Sequence, residues 1–570
     1  MERHTHVSIE GSEYVPIAGA TVAGPSGQEE RIQVTVVVHS RTPTPALHED
    51  RTWAERLPRD RKHSTREEFE TRFGAHSDDL RQIEDFARAR GFKIIETSAA
   101  RHCVVLEGLI GGFCEAFGVE MVEYEHERGR HRGLTGGIQV PVEIGGVVRA
   151  VLGLDTRPFS SPHVHAPGVG MTGSAPFTPS EIAELYRFPR HADGTGQCIG
   201  VIELGGGYYR EDLDTFFASI KQPAPKITDV SVSGAENKPA NRGILAGLME
   251  FMNTANESEK EFLAHESEAA QRKSEQALNT VETTMDIELV GSLAPGAHIV
   301  VYFAPNTEQG IYHALATAIA DKQHRPSVIS LSWGEPESAV SHLYMGLIDD
   351  VLKNAASLGV TVCVSSGDYG AHNQSHGGEV SVNFPASSPY VLSCGGTTLK
   401  ATGKEIESEV VWNSVIHGMR GASGGGVSHH FDRPHWQENL DVPHSPTGKG
   451  GRGVPDVAGP ADPRSGCKIH IGGVDSVSCG TSAVAPLWAA LVARLNHALE
   501  KPAGYLNSLL YQLAGRNHEK GVLRPVTHGE NGVYHAGPGW NACTGLGTPV
   551  GDRLLEALAG ELGEAPAHQA

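Results

Sequence analysis

Cysteine is scarce and widely spaced in this sequence, with 8 residues among 570 and no C-x-x-C pair. A structural zinc site or a disulfide scaffold needs several closely spaced cysteines, so neither is expected to organise this fold. The isolated cysteines are predicted to be buried free thiols, which pack as small apolar side chains.

Long hydrophobic runs are also missing. The longest apolar stretch, around Ala483–Ala493, is too short to span a bilayer and contains Pro486. The first twenty residues lack the basic start and the continuous apolar run of a signal peptide. We therefore expect no contact with membranes, and the visible N-terminus gives no support for export.

Positively charged residues are the less common kind, with 47 Lys and Arg against 68 Asp and Glu. The formal net charge is −21 at pH 7. Such an acidic chain is a poor partner for nucleic acid or an anionic membrane, and neither is expected. The chain also contains 30 His. Because His is charged and about half of the carboxylates are neutral near pH 4, the net charge reverses sign in acid.

The first block of the chain, residues 1–155, predicts a small α+β domain. Its strands and helices follow a βαββαβ order, which favours a ferredoxin-like fold. The predicted strands and helices are Ile32–His39, Thr65–Arg90, Phe92–Ser98, Cys103–Leu109, Gly112–Phe117 and a strand pair in Val140–Leu152. Residues 156–176 are rich in Pro, Gly and Ser and nearly uncharged, which is typical of an exposed, cleavable linker.

The second block, residues 177–558, alternates short apolar runs with helical stretches, and this alternation predicts a doubly wound α/β domain around a parallel sheet. The predicted strands are Cys198–Leu204, Ile299–Phe303, Val328–Ser332 and Val360–Ser365, and the predicted helices are Arg210–Ser219, Gly310–Asp321 and Tyr344–Leu358. Residues 240–280 are rich in Glu, Lys, Ala and Gln and predict one or two exposed helices, and residues 559–570 form a tail.

Ser482 is the first candidate for chemistry, because it lies in a Gly480-Thr-Ser turn that leads into a long apolar helix. A Ser at a helix N-terminus is usually a cap, but the free N–H groups and the dipole there also favour an oxyanion. The G-T-S-x-x-x-P string is similar to the nucleophile helix of subtilisin-type peptidases. The H-G-T-H string of a subtilisin His base is absent, and His376 and His417 lie in loop-like sequence without that motif.

Carboxylates supply the other candidates. Glu282 and Asp286 are i,i+4 neighbours on one face of a predicted helix, where a solvated surface pair is the ordinary interpretation. Asp368 follows an apolar strand in an S-G-D turn, which on its own indicates an Asx turn. Glu203 lies in an early strand. A Ser nucleophile without a His base makes these acids candidates for its proton acceptor.

Taken together, these strings resemble one family, the sedolisins or serine-carboxyl peptidases, and within it the kumamolisin-like proenzymes. The resemblance covers nearly the whole chain and includes a propeptide segment at Phe113–Val119. The other matching segments are Gln197–Gly207, Ser330–Gly334, Phe384–Thr398, Gly424–Ser428, Arg452–Gly459, Gly480–Pro486 and Gly537–Gly547.

The resemblance implies a role for each matched residue. Ser482 would be the nucleophile, Glu282 the general base and then the acid, and Asp286 the partner that orients Glu282 and shares its proton. Asp368 would be the protonated oxyanion donor. Glu203 and Trp333 match positions that extend the hydrogen-bond network of the carboxyls.

This set of residues predicts activity in acid. A His base would be charged at pH 4, whereas a Glu is still partly ionised there. Unless burial raises the pKa of Asp368 strongly, its protonated form and a negative charge on the Glu282–Asp286 pair coexist only in acid. We expect a bell-shaped rate profile centred at about pH 3–5.

The chain departs from the family pattern where the family binds calcium. The resemblance implies ligands from an Asp, the next carbonyl and a later G-x-G-x-D string. Here the corresponding residues are Pro525 and Val526, then Gly537, Gly539 and Asn541, so both carboxylates are replaced. Because Ca²⁺ affinity depends on ligand charge, we expect weak or absent calcium, with the loops supported by packing of residues such as Trp540 and Cys543.

Two further departures concern the substrate. Residues 240–280 replace a short loop and form either a solvated insertion or a lid over the cleft. Asn383 stands where some relatives place an Asp, which lowers the expected preference for basic substrate residues.

We therefore predict an acid-active serine endopeptidase made as a zymogen. Its partners would be protein or peptide substrates and its own propeptide in cis, cleavage would fall in 156–176, and the enzyme would be a monomer. Family habit implies secretion. The alternatives are a neutral subtilisin-like hydrolase, which the missing His string disfavours, and an inactive pseudopeptidase that serves as a binding or structural protein.

Overall fold

The computed structural model describes residues 6–13, 19–126, 129–160, 176–254, 268–372, 379–415, 421–445, 448, 450–516 and 521–561. Several sequence predictions fall outside these residues. They concern most of the linker (161–175), the centre of the insertion (255–267), the end of the tail (562–570), His376 and His417.

The N-terminal block forms a sheet with helices. Its strands are β1 (His6–Ser8), β2 (Thr21–Pro25), β3 (Arg31–Val38), β4 (Lys93–Ser98), β5 (Cys103–Leu109), β6 (Glu120–His126), β7 (Gly129–Thr135), β8 (Gln139–Pro141) and β9 (Val148–Leu152). Its helices are α1 (Arg51–Ala54), α2 (Arg66–Phe73), α3 (Ser77–Ala89), α4 (Ile110–Phe117) and α5 (Val142–Gly145).

The central sheet of this block has the order β4-β5-β3-β9, with every pair antiparallel. Together with the helices after β3 and β5, this order is that of a ferredoxin-like fold and confirms the predicted βαββαβ pattern. Two details of the prediction were wrong. The helix over 65–90 is interrupted at Gly74, whose extended backbone ends α2, and Val140–Leu152 is no strand pair because β8 pairs with β1 and β9 with β3.

The second block contains a larger sheet. Its strands are β10 (Cys198–Leu204), β11 (Ile227–Ser231), β12 (His298–Ala304), β13 (Val328–Leu331), β14 (Glu335–Pro336), β15 (Thr361–Ser365), β16 (Asn383–Phe384), β17 (Leu392–Thr402), β18 (Glu405–Val411), β19 (Gly426–Asp432), β20 (Gly451–Val454), β21 (Val457–Pro460), β22 (Lys468–Ile471), β23 (Val474–Val477), β24 (Leu523–Arg524) and β25 (Thr548–Pro549). Its helices are α6 (Pro179–Leu185), α7 (Arg210–Ser219), α8 (Arg242–Thr254), α9 (Glu268–Leu293), α10 (Glu308–Ala320), α11 (His342–Ser357), α12 (Val484–Leu499), α13 (Asn507–Arg516) and α14 (Gly551–Ala559).

The large sheet runs in the order β11-β12-β10-β13-β15-β17-β18, and β21 also pairs with β17. Only β18 is antiparallel among its described strand pairs. Helices α9 and α12 cover one face, and α10 and α11 cover the other. This doubly wound arrangement confirms the predicted fold class and buries the apolar strand runs on both sides.

The two blocks share an apolar core and a polar seam. Phe69 and Phe73 of the first block belong to the same buried cluster as the apolar residues of α10 and α11. Across the seam, Thr35 Oγ1 lies 2.7 Å from His313 Nε2, and the Tyr312 hydroxyl donates to the carbonyl of Arg101 at 2.5 Å. The N-terminal block therefore lies against the α10–α11 face of the larger domain.

The insertion contributes two helices, as predicted, but they are not simply exposed. Leu245 and Met249 of α8 are buried, and α8 packs against the β22–β23 hairpin. The second helix, α9, continues without a break through Glu282. The insertion is thus continuous with the helix that carries two of the candidate residues.

All eight cysteines are free and seven of them are buried, which confirms the prediction from their spacing. Within the described part of the chain, the helices are too short or too polar to cross a membrane.

Candidate active site

Ser482 lies in a single 3₁₀ turn, Thr481–Ala483, directly before the long helix α12. The side chain is fully buried, and its hydroxyl donates to the carbonyl of Ser332 at 3.4 Å. The turn packs against β15 and is hydrogen-bonded to Ser332 just after β13, so it lies at the C-terminal edge of the parallel sheet, where ligands bind. Ser482 is therefore placed at the expected end of the sheet.

Helix α9 brings Glu282 and Asp286 to the same place. Asn279, one turn earlier, donates from its side-chain amide to the carbonyl of Leu204 at 2.9 Å, which anchors α9 to the end of β10. Both carboxyls are completely buried. The solvated surface pair considered from the sequence is thus wrong, because this face of α9 packs on the sheet.

Asp286 and Ser482 are linked through Ser332. The Ser332 hydroxyl donates to Asp286 Oδ2 at 2.8 Å and approaches the Ser482 carbonyl at 3.3 Å. Glu282 makes no well-formed hydrogen bond to any described residue. The hydroxyls of Ser482 and Ser332 are nevertheless close enough to lower its pKa. The carboxyl of Glu282 therefore faces the Ser482 hydroxyl with its acceptor positions uncommitted.

The buried acids raise one another's pKa. Burial is the largest cause for Glu282, whose pKa lies well above its usual value, and the neighbouring Asp286 charge raises it further. Burial also raises the pKa of Asp286, with Glu203 as the next cause. Because like charges this close cannot all ionise, the acids share protons.

Glu203 extends this group from the middle of the sheet. It is the buried acid of β10, and the Thr283 hydroxyl donates to its Oε2 at 3.1 Å. Burial raises its pKa well above the usual range and Glu282 raises it again, while Thr283 and the Trp333 indole lower it. The structure thus brings Glu203 and Trp333 to the positions expected from the sequence.

Asp368, in the loop after β15, contacts the residue that precedes Ser482. Its Oδ1 accepts from the backbone N–H of Thr481 at 2.7 Å and from the Thr481 hydroxyl at 2.6 Å. Burial raises the pKa of Asp368 to about 7, although both Thr481 donors lower it. The carboxyl is therefore predominantly protonated in acid and can donate a hydrogen bond.

Two participants were not singled out from the sequence. Ser332 precedes Trp333 within a matching segment, and Thr481 precedes Ser482, but a hydroxyl in a motif does not reveal which carboxyl it contacts. Only the packing of α9 and of the 368 loop against these residues identifies their partners.

Comparisons with known proteins find two family models and a relative that is similar over nearly the whole chain. The family "Pro-kumamolisin, activation domain" matches residues 18–157, and the "Subtilase family" matches residues 267–509. Kumamolisin of Bacillus sp. (strain MN-32) is 42% identical over 553 residues, which cover 94% of this chain and 93% of the relative.

The chain belongs to the sedolisin family of serine-carboxyl peptidases.

Other relatives extend the comparison. Sedolisin of Pseudomonas sp. (strain 101) is 27% identical over 507 residues, covering 85% of this chain and 79% of the relative. A solved structure, Pseudomonas sedolisin (serine-carboxyl proteinase) complexed with two molecules of pseudo-iodotyrostatin, gives a TM-score of 0.55 at 24% identity. It covers 68% of this chain and 99% of that one and shows the shared fold. By its family, the chain is thus a serine-type peptidase with an N-terminal activation domain.

The chain that follows the activation domain runs towards the candidate site. Ser160, the last described residue before 161–175, donates from its hydroxyl to the carbonyl of Gly334 at 2.9 Å and accepts from the Gly334 N–H at 3.2 Å. Gly334 is two residues beyond Ser332. The exposure expected for the linker is therefore wrong at its described start, since Phe159 and Ser160 are buried where the chain passes next to the candidate residues.

Calcium binding is general in this family, but the residues at the corresponding loop do not fit a cation. Pro525 supplies no carboxylate, and the carbonyl of Val526 already accepts the side-chain N–H of Asn541 at 3.1 Å. Across the described part of the chain, no group of three or more His, Cys, Asp or Glu is placed to hold a metal. The expected packing support is present, since Trp540 donates to the carbonyl of Pro455 at 2.9 Å and Cys543 is fully buried.

Asn383 is buried in β16, whose neighbour Phe384 pairs with Glu335 just after the Ser332–Gly334 segment. Asn383 itself pairs with Pro336, so it lies beside the chain that follows Ser332–Gly334.

Proposed function

We propose that this sedolisin is an acid-active endopeptidase made as a zymogen, with Ser482 as nucleophile and a Glu–Asp pair in place of His. The observation that carries the proposal is the group of fully buried carboxyls around Ser482, formed by Glu282, Asp286 and Asp368. Burying several carboxyls without a cationic partner costs folding free energy, and such unfavourable burial is typical of catalytic sites.

The residues then act in sequence. Glu282 takes the proton from the Ser482 hydroxyl while the oxygen bonds to the carbonyl carbon of the scissile peptide. Asp368 donates its proton in a hydrogen bond to the developing oxyanion. Glu282 returns its proton to the departing amine, and the C–N bond breaks. Water then attacks the acyl-enzyme by the same route and releases Ser482.

Asp286 keeps Glu282 ready for both steps. Its hydrogen bond from Ser332 fixes the carboxyl, and its charge raises the pKa of Glu282. A pair that holds one proton between two carboxyls can accept a second and give it back. This supports the assignment of Asp286 as an orienting and proton-sharing residue.

The pH range follows from Asp368. With a pKa of about 7, its carboxyl keeps its proton in acid and loses it as the pH rises through that value. The oxyanion then faces a charge instead of a donor. Activity should therefore fall as the pH rises through about 7, and the acid limb should reflect protonation of the Glu282–Asp286 pair. Because burial raises the pKa of all three carboxyls, both limbs lie at higher pH than those of the profile centred at about pH 3–5 that the sequence predicts.

The substrates are proteins and peptides, and the first substrate is the enzyme's own linker within 156–176. The position of Ser160 against Gly334 supports cleavage in cis, because it delivers the following chain to the site. Secretion remains a prediction from the family resemblance, and the monomeric state also remains a prediction.

The test is incubation of the purified full chain between pH 3 and 7, beside Ser482→Ala. We expect cleavage in the linker and peptidase activity only in acid, both lost in Ser482→Ala. Gel analysis, mass spectrometry of the new N-terminus and a peptide assay measure these outcomes. An intact, inactive chain at every pH would overturn the proposal in favour of a pseudopeptidase.

A further inference from the structure

The loop that corresponds to the family's calcium site is closed by a side-chain amide. Asn541 is 6% exposed and uses both ends of its amide. Its Nδ2 donates to the carbonyl of Val526, and its Oδ1 accepts from the N–H of Cys543 at 3.1 Å and from Thr544 N–H at 3.0 Å. The Thr544 hydroxyl donates to the same oxygen at 3.1 Å.

These contacts determine the orientation of the amide. If the amide were reversed, its oxygen would face the Val526 carbonyl and its N–H group would face the two backbone N–H groups. The backbone adds a reciprocal pair of hydrogen bonds between Asn541 and Gly545, at 3.1 and 2.9 Å. The Val526 carbonyl, which the family resemblance makes a metal ligand, is therefore held by an N–H instead of a cation.

We propose that Asn541 replaces the metal, so that its amide closes the loop over residues 526–545 and the protein needs no calcium for this part of its fold. The amide supplies a partial positive charge at the carbonyl and satisfies the loop's own N–H groups. A cation site in this buried place would need carboxylates to balance its charge. A neutral amide needs none.

The closed loop reaches the oxyanion segment through two connections. The carbonyl of Cys543 accepts from the Ser423 hydroxyl at 2.7 Å, and the neighbouring Ala422 N–H donates to the backbone carbonyl of Asp368 at 2.9 Å. In the second connection, the carbonyl of Asn531 accepts from the Ala371 N–H at 3.0 Å. The loop that Asn541 closes is thus joined by hydrogen bonds to the segment that carries Asp368.

The test measures thermal unfolding of the full chain at pH 7 in the Ser482→Ala background, which prevents self-cleavage. The midpoint is compared in EGTA and in millimolar CaCl₂. We expect the same midpoint in both solutions and no calcium retained after dialysis. A calcium-dependent rise of several degrees would overturn the proposal.

Asn541→Asp is the variant, because it keeps the size and the Oδ1 acceptor but removes the N–H that holds Val526. It places a carboxylate oxygen against that carbonyl, so we expect the midpoint in EGTA to fall by several degrees. Asn439→Asp, the same chemical change at an exposed residue, should leave it unchanged. A midpoint for Asn541→Asp equal to that of the control would overturn the proposal. Because the readout is unfolding, failure of the peptidase assay does not affect it.

Discussion

At the residue scale, burial is the dominant influence on the acids of the site. It is the largest cause of the raised pKa for Glu203, Glu282, Asp286 and Asp368. Their neighbours then separate their roles. Thr481 directs two donors at Asp368, whereas Glu282 keeps its acceptor positions uncommitted beside Ser482. In the proposed mechanism, identical functional groups serve as base and as oxyanion donor because their contacts differ.

Helix α9 offers a matched pair to test this assignment. Glu288 lies six residues after Glu282, is equally buried and also has a raised pKa, but it accepts from the backbone N–H of His470 at 2.9 Å and does not face Ser482. We expect Glu282→Gln to lower kcat by about 10²–10⁴-fold, the contribution of a general base. Glu288→Gln should keep kcat within a few fold.

The measurement is kcat of each variant after removal of the activation domain, with circular dichroism to verify folding. If Glu288→Gln lost as much activity as Glu282→Gln, the loss would reflect a buried charge rather than a base. That result would contradict the role of Glu282.

At the scale of elements, the site depends on how closely α9 approaches the end of β10. Gly206 follows β10 with a φ of +68°, and a Cβ there would come within 2.5 Å of the backbone carbon of Asn279. Asn279 is the residue whose amide holds α9 to Leu204. The glycine therefore permits the contact that brings Glu282 to Ser482.

Gly206→Ala should displace α9 and lower kcat/KM more than tenfold, because small displacements of catalytic groups are costly. Gly196→Ala is the matched control, since Gly196 also has a positive φ of +80° but no atom near its Cβ position. That variant bears the same backbone strain and should keep kcat/KM within about threefold. Peptide hydrolysis assays measure both, and equal losses would show that backbone strain alone is responsible.

At the scale of the whole molecule, a falling pH stabilises the interior of the peptidase domain but destabilises the seam between the domains. Burial raises the pKa of Asp368 to about 7 and that of Glu288 well above its usual value, and both side chains are fully buried in the peptidase domain. A carboxyl raised in this way stabilises the fold below its unfolded pKa, and the contribution is lost as the pH rises through 7. The interior of the peptidase domain is therefore suited to acid.

The seam responds in the opposite sense because it buries histidines. Burial, and next the Arg101 guanidinium, lower the pKa of His313 to about 3. Burial and Arg61 lower that of His63 to about 4, although a hydrogen bond with the Ser357 backbone opposes this. Neutral His stabilises the docked activation domain above about pH 6.5, and this contribution is lost as the pH falls towards 3. Each pH unit in between weakens docking about tenfold per His.

His313→Gln tests this response. Gln stays neutral in acid, so the docked activation domain no longer loses stability through protonation of residue 313. The pH at which half of the chain is processed should therefore shift to a lower value by at least about half a unit. His191→Gln, at an exposed His of the peptidase domain, should leave that pH unchanged. Processing is followed on gels over a pH series, and an unchanged midpoint for His313→Gln would contradict the role of the seam.

Much of this architecture could be predicted because its signals are local. The runs at Cys198–Leu204 and Thr361–Ser365 are mostly apolar because both faces of the strands are buried. The G-T-S turn and the i,i+4 spacing of Glu282 and Asp286 can be recognised from the amino-acid sequence alone. The helix over 65–90 was too long in the prediction because Gly74 ends a helix only where its extended backbone is stabilised by the packing around it.

The sequence by itself determined the family, the order of the elements and the identity of the catalytic residues to be tested. Tertiary structure alone decided that Ser332 and Thr481 contact the acids, that Asn541 holds Val526, and that His313 is buried against Thr35. The reason is physical. Periodicity and turn chemistry act between near neighbours in the chain, whereas burial and proton sharing depend on distances between residues such as Glu203 and Glu282 that only folding brings together.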